Sequence, residues 1–321
     1  MSKLSKIGVI GAGTMGHSIA QAFAACSYYV HLQDINEDTL KQAKGKIAYN
    51  LKMLQELGLL DEQGAEKTLT RISFYTDLET AVQDADFVIE SISEDIAVKQ
   101  ALFKCLDEVT PPHTILASNT SSFKITDITK SVLRKKDKVI LTHWFNPPHI
   151  VPLVELCRSE HTSEDTVNKV KNLLESCGKV TIDVKKEVPG LVGNRLQAAL
   201  VREAFHIYEQ GIASVEDIDK VVKFGPGLRL PVGGIFQIVD LGGIDVWYVV
   251  CLSLIPKICS DTGPIESLRK KKEKGELGVK TGKGFYEYPD SSTSYAHKRD
   301  VMMLKLLQII KDSKENNESM E

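Results

Sequence analysis

The chain has 321 residues, of which 42% are hydrophobic and 26% charged, and its formal net charge is −3. That length suits two domains of ordinary size, and the composition is that of a soluble globular protein. The charge leaves no basic excess for a nucleic-acid backbone and no acidic run of the kind that keeps a chain disordered.

The first residues, MSKLSKIGVIGAG, lack the long apolar core and small-residue cleavage site of a secretory signal. KIGVIGAG reads as a first strand. GHSIAQAFAAC has helical periodicity, YYVHLQD reads as a second strand, and NEDTLKQAKGKIAYNLKMLQELGLL as a long amphipathic helix. ISFYTD, ADFVIES, TILASNT and KVILTHWF read as further strands, separated by helical or loop segments. Alternation of this kind, from Lys6 to about Asp183, predicts an α/β fold: a Rossmann-type doubly wound parallel sheet. Beyond KKEVPG the strands stop. LVGNRLQAALVREAFHIYEQG repeats apolar residues at three and four, and SVEDIDKVVKFG opens on a Ser cap and closes at Gly225. The expected boundary lies near Lys185, dividing the chain into residues 1–185 and an all-α part, 186–321. A last helix is expected from Asp300, with a frayed acidic tail. No apolar stretch approaches bilayer length, so no membrane partner is expected. The six cysteines show no CxxC pair or metal-ligand spacing. They read as buried free thiols, with no metal expected and the cytoplasm as the expected compartment.

IGVIGAGTMG places Gly11, Gly13 and Gly16 in the G-x-G-x-x-G spacing at the first strand-to-helix turn. Glycines there permit a tight turn, close approach of backbone to a pyrophosphate, and close helix–strand packing. The following helix offers N–H groups and the positive end of its dipole to the phosphates. Thr14 and Met15 lie inside the loop and are expected against the same cofactor. Asp34 ends the second strand, 18 residues after Gly16. A carboxylate at that place accepts bonds from ribose hydroxyls and repels a 2′-phosphate, which points to NAD over NADP.

KVILTHWFNPPHIVPLVELC, from Lys138 to Cys157, sets two apolar stretches around Asn-Pro-Pro. If KVILTHWF ends a strand and the prolines turn the chain, IVPLVEL runs back beside it and brings Glu155 to His143. A carboxylate on one imidazole nitrogen fixes the tautomer, and the other nitrogen can take a proton from a substrate hydroxyl. A carbon that gives hydride to nicotinamide needs such a base for its oxygen.

Several motifs then occur in order: GAGTMG, ADFVIESISED, ASNTSSF, HWFNPP, PLVEL, PGLVGNR, GIASVEDID and GVKTGKGFYEY. Over roughly Lys6 to Tyr288 the chain resembles the 3-hydroxyacyl-CoA dehydrogenases, including the short bacterial 3-hydroxybutyryl-CoA enzymes. The resemblance implies an NAD-binding first domain, a helical domain for substrate and dimerisation, a homodimer, and a place in fatty-acid metabolism. It implies His143 as general base with Glu155 as partner, and Ser121 and Asn194 near the substrate oxygen. Asn146 of FNPP would hold its loop and assist catalysis. Glu94 and Lys99 would meet the nicotinamide-side ribose region, and Asn119 the cofactor. Two departures bear on substrate. The lysine-rich stretch that meets CoA phosphates in the family is replaced here by NLKMLQELGLL, in which Lys52 remains. The wording HWFNPPHIVPLVEL, KKEVPG and GPGLRLP is similar to relatives that oxidise free hydroxy acids, such as the L-gulonate, L-carnitine and pyridine-carboxylate dehydrogenases. There Arg229 would pair with a substrate carboxylate. The expected activity is therefore oxidation of a 3-hydroxyacyl-CoA. The alternatives are a free 3-hydroxy acid as substrate, or a cofactor-binding structural protein without turnover.

Overall fold

The protein is described by a computed structural model covering residues 4–290 and 292–318. It divides into two compact units, Met1–Asn194 and Arg195–Glu321. The strands of the first unit are β1 (Lys6–Ile10), β2 (Tyr29–Gln33), β3 (Ile72–Tyr75), β4 (Phe87–Glu90), β5 (Ile115–Ser118), β6 (Val139–Trp144), β7 (Leu153–Arg158) and β8 (Val180–Val184). Its helices are α1 (Gly16–Ala25), α2 (Glu37–Glu56), α3 (Glu62–Thr70), α4 (Leu78–Val82), α5 (Ile96–Val109), α6 (Ile125–Ile128) and α7 (Glu164–Ser176).

All eight strands join one sheet in the order β3-β2-β1-β4-β5-β6-β7-β8. The first six run parallel. β7 then returns antiparallel to β6, and β8 runs parallel to β7. The order reverses between β2-β1 and β4-β5, which places a crevice at the strand C-termini beside β1. Side chains alternate across the sheet as the twofold strand period requires. Ile7, Val9, Phe87, Ile89 and Ile140 enter one core with Phe23 of α1 and Ile47 of α2. Ile10, Val88, Leu116 and Leu141 enter the other with Val82 of α4 and Phe103 of α5. Both faces are thus buried, the condition for a doubly wound sheet. β8 was not among the expected strands. It lies at the sheet edge and buries only Val184 fully, so its apolar signal is weak.

The second unit is helical. It contains most of α8 (Gly193–Glu209), then α9 (Val215–Phe224), α10 (Pro226–Gly242), α11 (Ile244–Leu254), α12 (Glu266–Glu273) and α13 (Ser292–Glu318). Ser214 caps α9 by accepting from the Asp217 N–H at 3.1 Å, and Gly225 ends it. α10 breaks at Gly234, whose φ of 64° suits glycine. The last helix starts at Ser292, earlier than the expected Asp300, because STSYAHK continues the turn without a breaker. α13 runs to Glu318, and the end of the tail that was expected to fray, residues 319–321, lies outside the described residues. Among the described residues no single helix is long and apolar enough to cross a membrane. All six cysteines are free, but only Cys157 and Cys259 are buried. Cys251 is exposed on α11, which is apolar all round, so apolar neighbours in sequence did not mark an interior position there.

Candidate active site

The glycine loop leaves β1 at the crevice. Gly11 has φ +94°, and a Cβ on it would meet the Ser91 carbonyl oxygen at 2.6 Å. A Cβ on Gly16 would meet the Gly11 oxygen at 1.7 Å, so both positions admit only glycine. Gly13 is different: a Cβ there would meet nothing within 4 Å. Its open side lets an anion approach the backbone. Thr14 is exposed and Met15 half-buried at the start of α1, which no side chain caps. The Asp34 carboxylate accepts from the Ala12 N–H at 2.9 Å and the Asn36 N–H at 3.0 Å. It therefore ties the loop to the end of β2 and keeps lone pairs for ribose hydroxyls. His17 donates from Nδ1 to the Gly13 carbonyl at 2.6 Å, and burial holds its pKa below the usual histidine value. The donor set fits a dinucleotide with a free ribose diol.

At the ends of β4 and β5 a buried charge network shapes the floor. Glu90, fully buried, accepts from the Lys99 ammonium, from Ser118 Oγ at 2.7 Å and from the Ile92 N–H at 2.9 Å. Lys99 is itself 1% exposed and lies 3.4 Å from Glu94. Lys99, expected to meet the nicotinamide-side ribose region, is enclosed and pairs with both carboxylates. Glu94 is exposed; it accepts from Thr120 Oγ1 at 2.9 Å and the Ser121 N–H at 3.2 Å. It thereby joins the loop after β4 to the loop after β5. Asn119 accepts from the Trp144 N–H at 2.9 Å, pinning the end of β5 to the end of β6.

β6 and β7 form the antiparallel return expected of KVILTHWFNPPHIVPLVELC. The antiparallel register pairs His143 directly with Glu155. His143 Nδ1 and Glu155 Oε2 are 2.6 Å apart, with side chains 7% and 0% exposed. The other carboxylate oxygen accepts from the Val192 and Gly193 N–H groups at 3.0 and 2.8 Å. Burial by itself would raise the Glu155 pKa. The hydrogen bonds from His143, Gly193 and Val192 outweigh it and hold the carboxyl below its ordinary value. An ionised Glu155 can only accept, so Nδ1 carries the proton and Nε2 is the basic nitrogen. Phe145 packs on the imidazole at 4.7 Å between ring centroids. A Cβ on Gly193 would meet that phenyl ring at 2.5 Å.

The remaining expected residues stand as follows. Ser121, half-buried, lies three residues past Ser118 of β5, while His143 lies two past Leu141, its neighbour's partner on β6. Both therefore sit near the C-terminal edge of adjacent strands. Asn194, half-buried, directly follows the Gly193 N–H that binds Glu155. Asn146 is exposed and precedes a cis bond to Pro147. Arg229 is exposed on α10 of the second unit. Residues that sequence reading passed over are Glu90, His17 and Gly193. A carboxylate closing the apolar strand FVIE, with a lysine nine residues on, was the available sign of the first. Burial pushes the Cys157 thiol up to about 11, so it is no nucleophile. The unit is equipped for proton abstraction from a hydroxyl beside a dinucleotide loop.

Comparison with known proteins agrees. Residues 6–188 match the 3-hydroxyacyl-CoA dehydrogenase NAD-binding domain, and residues 190–288 its C-terminal domain. The chain belongs to the 3-hydroxyacyl-CoA dehydrogenase family. It is an NAD-dependent oxidoreductase of that family. It is 38% identical to a probable 3-hydroxybutyryl-CoA dehydrogenase of Bacillus subtilis, over 91% of this chain and 100% of the relative. Among solved structures, a 5-formyl-3-hydroxy-2-methylpyridine 4-carboxylic acid 5-dehydrogenase, described as an NAD-dependent dismutase, superposes with a TM-score of 0.88. That likeness comes at 29% identity and covers 96% of this chain and 99% of the other. The (S)-3-hydroxybutyryl-CoA dehydrogenase of Ralstonia eutropha has a TM-score of 0.73 at 34% identity, covering 90% of this chain and 100% of the other.

Proposed function

We propose that the protein oxidises the 3-hydroxyl of a short (S)-3-hydroxyacyl-CoA, such as 3-hydroxybutyryl-CoA, to the ketone. The observation that carries the reading is the 2.6 Å His143–Glu155 pair at the same, C-terminal end of the parallel strands as the glycine loop. Gly11, Gly13, Gly16 and Asp34 would hold the cofactor, which when bound supplies the hydride acceptor. His143 takes the hydroxyl proton at Nε2. Glu155 stabilises the imidazolium that results, and the Val192 and Gly193 N–H groups keep the carboxylate ionised and aimed. Ser121 and Asn194 supply hydrogen bonds to the substrate oxygen, a contribution of several kcal/mol in a water-poor site. The relative from Bacillus subtilis supports the acyl-CoA substrate.

A second reading, a free hydroxy acid, is favoured by two observations. One is the TM-score of 0.88 to the pyridine-carboxylate enzyme. The other is the end of α2, where Lys52 is 3.9 Å from Glu56 and is the single lysine of NLKMLQELGLL, Lys41, Lys44 and Lys46 lying earlier on the helix. The deciding experiment is a substrate panel followed by NADH absorbance: 3-hydroxybutyryl-CoA against L-gulonate and L-carnitine. The acyl-CoA reading expects kcat/KM at least ~100-fold higher for the thioester. Turnover with a free acid alone would reject it. The exposed apolar side chains of α10 and α11, among them Val232, Phe236, Leu241 and Tyr248, support association into a homodimer. Light scattering at the mass of one chain would reject that part.

A further inference from the structure

Outside the site described, one cluster combines a thiol, an imidazole and a carboxylate. His206 on α8, Cys259 and Asp261 each offer a ligand atom, and these atoms all lie within 4.8 Å of one another. Cys259 is 8% exposed, His206 half-buried and Asp261 exposed. The cluster joins residues 53 apart in sequence, so no spacing along the chain announces it.

We propose that His206, Cys259 and Asp261 form a divalent-cation site of the zinc class in the second unit. The donor set selects the metal. Thiolate and imidazole are poor ligands for magnesium or calcium, which take oxygen, and good ones for zinc. Tetrahedral zinc with bonds of about 2.0–2.3 Å needs ligand atoms about 3.3–3.6 Å apart. Side-chain rotation closes the remaining distance, and Asp261, being exposed, is free to make it. A second contact already holds the segment in place. Glu203, one turn before His206 on α8, accepts from the Cys259 N–H at 2.7 Å. Residues 259–261 are thus docked on two successive turns of the helix before any ion arrives. Binding replaces the thiol proton with the metal: Cys259 leaves as thiolate on zinc and one proton goes to solvent. The fourth position, on the exposed side, falls to water. The ion would fasten the segment after α11 to α8, in a unit whose helices bury no residue fully along α8 to α12.

Cobalt titration of the tag-free, chelator-treated full chain tests this. The expected result is one cobalt per chain, with a thiolate-to-cobalt charge-transfer band and the intense visible bands of tetrahedral cobalt, both bleached by zinc. Cys259→Ser should abolish the charge-transfer band. His206→Ala and Asp261→Asn should each weaken cobalt binding at least ~10-fold while keeping the wild-type circular dichroism. Zinc should raise the Tm of the wild type and not of His206→Ala. Absence of the charge-transfer band in the folded wild type overturns the proposal. So does a band that survives Cys259→Ser, or unchanged affinity in both other variants.

Discussion

Glu155→Gln isolates what the carboxylate does for His143. Glutamine has the same shape, and its carbonyl can keep both backbone N–H groups at 3.0 and 2.8 Å. Its amide nitrogen then faces Nδ1 at the 2.6 Å contact. An amide N–H donates, so Nδ1 must accept and the ring proton moves to Nε2, the nitrogen that should receive the substrate proton. Loss of the charge-assisted bond alone is worth about 1.5–3 kcal/mol, or roughly 10- to 150-fold in rate. The reversed tautomer extends the loss toward about 10⁴-fold, the size known for a carboxylate-to-amide change behind a catalytic histidine. The expected outcome is a fall in kcat of about 10²- to 10⁴-fold with NAD affinity unchanged, since Glu155 does not touch the glycine loop. Steady-state NADH formation and cofactor titration measure the two quantities. A fall in kcat of less than about threefold would refute the tautomer argument. A linked effect follows from the sign of the shift. The folded carboxyl titrates below its ordinary 4.5, so its stabilisation is fully present above that pH and is lost as pH falls through the folded value. The Tm gap between wild type and Glu155→Gln should close on acidification below 4.5; a constant gap would show that ionisation of Glu155 does not contribute.

The other expectations concern the ground around the pair. Asp34→Ala removes the carboxylate at the ribose and should lower the NAD-over-NADP ratio of kcat/KM by at least ~10-fold; an unchanged ratio would mean Asp34 does not meet the ribose. Lys99→Ala leaves Glu90 charged, buried and unpaired, and should cost about 3–5 kcal/mol in denaturant unfolding; a loss under about 1 kcal/mol would show the pair to be dispensable. Gly193→Ala drives a methyl into Phe145, 2.5 Å from Cζ. It should cost about 1–3 kcal/mol of stability and lower kcat through the displaced imidazole; unchanged Tm and kcat would show that Phe145 moves aside freely.

The parts of the molecule readable from sequence are those in which one period or one spacing decides. The short apolar runs FVIE and VILTHW, set between helical patterns, marked strands, and the three glycines with Asp34 marked the loop, where Gly11 and Gly16 answer to a local steric demand. The Asn-Pro-Pro turn between two apolar runs was enough to bring Glu155 back to His143. Register depends on that turn and on the buried face, both visible in the text. Glu90 and Lys99 were harder. Their pairing depends on α5 folding back over the end of β4, and a lysine at that helical position reads equally well as a solvated one. β8 escaped because an edge strand needs few apolar residues. The Val192 and Gly193 N–H groups on Glu155 carry no side-chain signal at all, since the donors are backbone.

The central claim is that His143, held by Glu155, takes the hydroxyl proton of the substrate. Its most direct test is the single-turnover rate of NADH formation by His143→Gln at saturating NAD. The account predicts a rate at least ~100-fold below wild type, with NAD binding unaltered. A rate near that of the wild type would contradict it.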